Sequence, residues 1–251
     1  MISRPKIGLF VTCLVDLVRP QVGFAAVKLL EESGCDVEVP VQTCCGQPAW
    51  NSGADRHAAD LARRVIAAFE PFDYLVAPSG SCAGMIKRHY AEVLANDPVW
   101  LPRAQALAAK THELISFLVD IRGVKGVQAR CVANICYHDS CSSLREMGVR
   151  NQPRELLGSI DGLSLSELKE PEVCCGFGGL FSVKYPEISE RMADDKIADA
   201  QETGAALMLG GDLGCLLHLK GRMQRKGVNI RVRHVAEVLA SMANEPALGE
   251  T

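Results

Sequence analysis

Apolar residues follow two rhythms along this chain. Four short runs are of strand length and nearly continuous in apolar side chains: Lys6-Ile-Gly-Leu-Phe-Val-Thr-Cys13, Asp73-Tyr-Leu-Val-Ala77, Cys131-Val-Ala-Asn-Ile-Cys-Tyr137 and Ala205-Ala-Leu-Met-Leu209. Such runs fit strands buried on both faces. Between them the pattern lengthens to a helical period over Val22 to Glu32, Ala54 to Phe69, Pro186 to Thr203 and Leu213 to Lys226, with Pro or Gly near several ends. Strands alternating with helices predict an α/β fold with parallel sheets.

The pattern also limits where the protein works. No apolar run reaches the ~20 residues that span a bilayer, and the run from Ile7 to Val18 is broken by Asp16 and followed by Arg19 and Pro20, with no small-residue cleavage site. A cytoplasmic protein, not integral to a membrane, is expected. The net charge of -3 is spread over mixed-sign stretches, so no basic stripe offers counterion-releasing contacts to a phosphate backbone, and nucleic acid is not an expected partner.

The cysteines show that the chain repeats itself. Eight of eleven fall into two matching sets: Cys13, Cys44, Cys45 and Cys82 recur as Cys141, Cys174, Cys175 and Cys215, at offsets of 128, 130, 130 and 133 residues. Drift of a few residues is what altered loops in a duplicated unit would produce. The apolar pattern is interrupted near Gly123 to Gln128, which predicts two tandem, pseudo-symmetric, cysteine-rich half-domains over 1–125 and 126–251. Each is expected to be a small, mostly parallel sheet flanked by helices, with its cysteine loops beyond the carboxyl ends of the strands.

In a reducing compartment a patterned set of thiols points to metal or redox chemistry before disulfides. Four soft thiolates per half are enough for an iron-sulfur cluster or for tetrahedral zinc. Neighbouring cysteines in an extended strand would face opposite sides, so Cys44 with Cys45 and Cys174 with Cys175 can converge only on a tight turn, which Gly46 and Gly176 permit. Adjacent cysteines suit an object with several metal vertices better than the Cys-x2-Cys pairs of zinc sites, and both options stay open.

The duplicated pattern of one Cys, then Cys-Cys-Gly, then another Cys resembles the cysteine-rich, or Cys-Cys-Gly, domain family, over nearly the whole chain. Gly46-Gln-Pro-Ala-Trp-Asn-Ser-Gly53, Tyr137-His-Asp-Ser-Cys141 and Cys174-Cys-Gly-Phe-Gly-Gly-Leu-Phe-Ser-Val183 are most similar to its bacterial lactate-utilization branch. The resemblance implies an iron-sulfur electron-transfer subunit that acts with a ferredoxin-like iron-sulfur protein and a third lactate-utilization subunit in oxidising L-lactate to pyruvate. Broader relatives include the heterodisulfide reductase component that carries the same motif and the iron-sulfur subunits of glycolate and anaerobic glycerol-3-phosphate oxidation. In the heterodisulfide reductase relative, five cysteines per site hold noncubane four-iron clusters.

Here the fifth position is Met85 in one half and His218 in the other. The expectation is therefore one or two conventional four-iron clusters on the eight cysteines; the alternatives are a redox subunit like those of heterodisulfide reductase or glycolate oxidation, acting at a cluster, or a zinc-stabilised scaffold. His218 is a further candidate ligand, or a hydrogen-bonding neighbour of the site. Met85 is read as packing, Cys35, Cys131 and Cys136 as core, and His138 with Asp139 as orienting groups. His112 and His234 are read as matched polar caps or interface contacts at the start of a helix in each half. No phosphate loop, nucleophile elbow or His-Glu-x-x-His motif occurs, and no residue is assigned as a catalytic base.

Overall fold

A computed structural model describes residues 4–250; the outermost positions of the two expected halves, 1–3 and 251, lie outside them. The first half runs β1 (Lys6–Leu9), α1 (Cys13–Val18), α2 (Pro20–Glu32), β2 (Asp36–Glu38), α3 (Gln47–Asn51), α4 (Asp55–Phe69), β3 (Tyr74–Ala77) and α5 (Gly80–Gly84). A wider helical turn at Met85–His89 follows, then α6 (Tyr90–Val93), α7 (Trp100–Ala109), β4 (Thr111–Glu113), α8 (Leu114–Ser116) and a second wide turn at Phe117–Ile121. The second half repeats the plan with β5 (Arg130–His138), α9 (Cys141–Arg145), α10 (Asn151–Leu157), β6 (Asp161–Leu165), α11 (Leu180–Lys184) and α12 (Pro186–Glu202). It ends in β7 (Leu207–Gly210), α13 (Leu213–Arg225), β8 (Arg231–His234) and α14 (Val235–Leu239).

Each half forms a four-stranded sheet, ordered β2-β1-β3-β4 and β6-β5-β7-β8, and every pairing is parallel. The winding reverses between β1 and β3, and again between β5 and β7. Outside the carboxyl ends of such strands the chain leaves a crevice. Cys13 and Cys82 follow the ends of β1 and β3, as Cys141 and Cys215 follow β5 and β7.

Strand alternation divides the core into three. Ile7, Leu9 and Val76 from the first sheet meet Ile135, Tyr137, Leu207 and Leu209 from the second in a middle cluster that includes residues of α2 and α14. Phe10, Leu75 and Ala77 turn to the outer core of the first half, and Cys136 and Met208 to that of the second. Cys35 and Cys136 are buried, as expected, whereas Cys131 is half-buried at the edge of the middle cluster. Met85 is fully buried in the first outer core.

Helices cross between the halves: α2 packs on α14, α8 on α10 and α5 on α9. The last contact depends on Gly80, because a Cβ there would lie 2.7 Å from the backbone of Ser143. Polar groups tie the same junction. The Asp212 carboxylate accepts from Ser79 Oγ at 3.1 Å and from Ser81 N–H at 3.0 Å, and Arg19 Nε donates to the buried Glu237 carboxylate at 2.9 Å.

The expected match of His112 with His234 is displaced by one residue. His234 caps α14, accepting from Ala236 N–H at 3.2 Å, and its Nε2 reaches Pro78 O across the junction at 3.1 Å. In the first half that place belongs to Glu113, whose carboxyl accepts from Ile115 and Ser116 N–H at 2.8 and 3.0 Å. His112 instead packs its ring between Tyr74 and Phe117.

Candidate metal centres

Two rows of four thiols lie at the carboxyl ends of the sheets, and all eleven cysteines are free among the described residues. The outer members of each row stand in the first turns of helices. Thr12 Oγ1 caps α1 beside Cys13 and Ser79 Oγ caps α5 by accepting from Cys82 N–H; Ser140 and Asp212 do the same for α9 and α13, beside Cys141 and Cys215. The inner pairs sit on glycine turns of one conformation, with φ of 87° at Gly46 and 85° at Gly176. Each turn points an N–H back at the first cysteine of its pair, Gly46 to Cys44 Sγ at 3.5 Å and Gly176 to Cys174 Sγ at 3.4 Å.

These contacts separate the thiols electrostatically. Hydrogen bonds from Cys13 and Cys45, joined by the Gly46 N–H, pull Cys44 down to about 2. Its partners are driven the other way: Cys13 is raised by its bond to Cys44 and by burial, and Cys45 by its bonds to Cys44 and Cys82 and by burial. The second row repeats this, with Cys174 pulled to about 2 by Cys141 and Cys175, and Cys141 and Cys175 raised in turn. Cys141 and Cys174 Sγ are 4.0 Å apart. Each row thus sets one thiol that ionises readily between two that hold their protons, and a cation taking these sulfurs as thiolates would release protons as it binds.

The cysteine-rich domain family matches this chain twice, over residues 7–87 and 135–220, the two stretches that carry the thiol rows. The chain belongs to that family. Lactate utilization protein A of Halalkalibacterium halodurans is 49% identical over 235 residues, covering 93% of this chain and 96% of that protein. The protein of the same name from Bacillus subtilis is 47% identical, covering 94% and 99%. A hypothetical protein from Helicobacter pylori shares the fold, with a TM-score of 0.68 at 11% identity, over 97% of this chain and 50% of that one.

The two cysteine-rich repeats are not chemically equal. Tyr137-His-Asp-Ser-Cys141 was expected to supply orienting groups, but Asp139 is taken by Arg154 in a two-pronged ion pair at 2.9 and 2.8 Å. His138 is left buried, with no hydrogen-bond partner on either ring nitrogen among the described residues. Ligand atoms of His138, Cys175 and Cys215 all lie within 4.8 Å of one another. Burial, helped by the charge of Lys196, pushes His138 down to about 4, so the ring is neutral at pH 7, the form that binds metals. His218, the histidine singled out by its position in the repeat, lies outside that group and approaches Ser189 Oγ at 3.3 Å. Alternation along β5 could have found His138, since Cys136 and His138 share the face opposite Ile135 and Tyr137.

Rows of soft sulfur donors with an orphaned imidazole beside one of them fit a soft or borderline metal. A cavity of about 270 Å³ adjoins Cys13, Cys44, Cys45 and Cys82, and one of about 220 Å³ adjoins Cys141 and Cys215. The two share Gln47, Ser81, Phe177, Gly179 and Asp212 as walls. Among the described residues no helix is long and apolar enough to cross a membrane.

Proposed function

We propose that this protein is the iron-sulfur electron-transfer subunit of a cytoplasmic complex that oxidises L-lactate to pyruvate. Cys13, Cys44, Cys45 and Cys82 would hold one four-iron cluster and Cys141, Cys174, Cys175 and Cys215 another. A ferredoxin-like iron-sulfur protein and a third lactate-utilization subunit complete the complex. The observation that carries this reading is the pair of four-thiol rows whose cavities share walls across the junction, so that two centres would stand as neighbours. The names of close, full-length relatives supply the substrate, and eleven free thiols suit a reducing compartment.

Lactate loses two electrons and two protons on becoming pyruvate, and clusters accept electrons singly and hand them on. The chain's own part is to hold the sulfur ligands and keep the two centres close. Zinc is the second reading, favoured by the compact grouping of His138, Cys175 and Cys215.

Iron, acid-labile sulfide and zinc content of protein purified without oxygen separates these readings. About four or eight irons with matching sulfide support the clusters, and stoichiometric zinc without sulfide supports the scaffold. In the assembled complex, Cys45→Ser and Cys175→Ser should each abolish lactate-dependent reduction of the iron-sulfur partner. Reduction at the wild-type rate in both variants would sink the electron-transfer assignment.

A further inference from the structure

Three residues before the first cysteine of its row, the second half carries His138 where the first carries Phe10. The two positions are structurally matched. Phe10 follows β1 and donates its N–H to Val76 O at 2.8 Å, while His138 ends β5 beside β7. Both side chains turn to the outer core of their half, which contains Cys45 in the first and Cys175 in the second. Phe10 lies in the cluster that contains Cys45 and packs on Phe69, with ring centroids 5.6 Å apart. His138 meets Cys175 and Cys215.

A phenyl ring satisfies such a position by packing alone. An imidazole does not, because it brings two polar nitrogens into a site where it is only 1% exposed and neither has a partner among the described residues, an arrangement that native cores avoid unless the group has a use. Nearby polar side chains are engaged elsewhere: Asp139 with Arg154, Lys196 with the Glu170 carbonyl and His218 with Ser189. The candidate donors beside the ring are the sulfur atoms of Cys175 and Cys215.

We infer that the metal centre of the second half takes an imidazole nitrogen of His138 in place of one thiolate of its row, whereas the centre of the first half is bound by sulfur alone. The inference rests on the reading that both halves hold metal, and goes beyond it by giving them different ligand sets. The duplicated protein thus carries two unlike centres, distinguished by a neutral nitrogen donor, a feature that changes the reduction potential of iron-sulfur sites.

The test uses the full chain loaded without oxygen with ferrous iron and sulfide, then reduced and examined by pulsed electron paramagnetic resonance for the strong coupling of a metal-bound imidazole nitrogen. Iron and sulfide are assayed on the same samples. Wild-type protein should show the coupling. Cys44→Ser/Cys45→Ser, which removes the first centre, should keep it, and Cys174→Ser/Cys175→Ser, which removes the second, should lose it. His138→Cys should retain iron and lose the coupling, and His218→Phe should retain both. The comparison of wild type with His138→Cys stands even where a double variant does not fold. Bound iron without nitrogen coupling in the wild type, or coupling that survives in His138→Cys, would overturn the inference and leave the proposed function intact. Wild-type protein that takes up neither iron nor sulfide would overturn both.

Discussion

Gly46 and Gly176 hold the same left-handed backbone, yet their surroundings differ. A Cβ on Gly46 would meet nothing closer than 3.5 Å, whereas on Gly176 it would lie 2.7 Å from the Ser189 carbonyl oxygen. Gly46→Ala should therefore lose only the backbone term of about 1–2 kcal/mol, and Gly176→Ala should lose more, because Ser189 must also move. Denaturant midpoints of the two variants check the order, and equal losses would contradict it. The glycines and the eight cysteines were legible in the sequence because their pattern is local and repeated. His138 is legible only in part: alternation along β5 gives its face, but its nearness to Cys175 and Cys215, 37 and 77 residues further on, comes from the fold. Thr12 is a similar case: a β-branched residue at φ 76° is rare, and nothing in Val11-Thr-Cys13 announces it, since the matching Ser140 is relaxed at φ -67°.

Inner and edge strands are unequally legible in the sequence, for a physical reason. The runs found in the sequence are β1, β3, β5 and β7, the inner strands of their sheets, which need apolar residues on both faces. Those missed are β2, β4, β6 and β8, all at sheet edges, with sequences such as Asp36-Val-Glu38 and Arg231-Val-Arg-His234 that carry no apolar period. The edge strand β4 also hid a titrating cap. Burial raises the Glu113 carboxyl from 4.5 to about 8, against the lowering effect of the Ser116 and Ile115 N–H bonds, with the charges of Asp212 and Asp120 adding to the rise. Its folded form holds a proton that the unfolded chain releases at lower pH. Its contribution to stability is therefore fully present below pH 4.5 and is lost as pH rises through about 8, at up to about 1.4 kcal/mol per pH unit. Glu113→Gln keeps a capping oxygen without the proton. The variant should gain on the wild type across that window in metal-free protein, and parallel stability curves from pH 4.5 to 8 would show that Glu113 does not titrate there.

At the scale of the molecule, the repeat is visible in the sequence but the way its copies join is not. The expected divide between 125 and 126 falls in the connection from the turn ending at Ile121 to β5. Spacing alone suggests two units that touch. The structure instead gives the middle core to both: Leu29 and Leu30 of α2 lie with Val235 and Val238 of α14, and Leu114 of α8 with Leu156 and Leu157 of α10. Separating the halves would expose that whole apolar surface and break the Arg19–Glu237 ion pair, leaving Glu237 with Arg233 at 3.9 Å. Each half would then keep only its outer core, while the middle cluster that both halves build would be lost. We therefore expect fragments 1–125 and 126–251 to lack a cooperative thermal transition when expressed separately and to regain one on mixing, as a one-to-one complex by size exclusion. Two fragments that each melt cooperatively alone, near the temperature of the intact chain, would show that the crossing helices are ornament to two self-sufficient domains. In the interlocked arrangement, walls of the cavity beside each thiol row come from the opposite half: Phe177 and Asp212 stand beside Cys13 and Cys82, and Trp50 and Ser81 beside Cys141 and Cys215. Neither fragment alone should then build the surroundings of a complete centre, so iron uptake should return only when cooperative unfolding does.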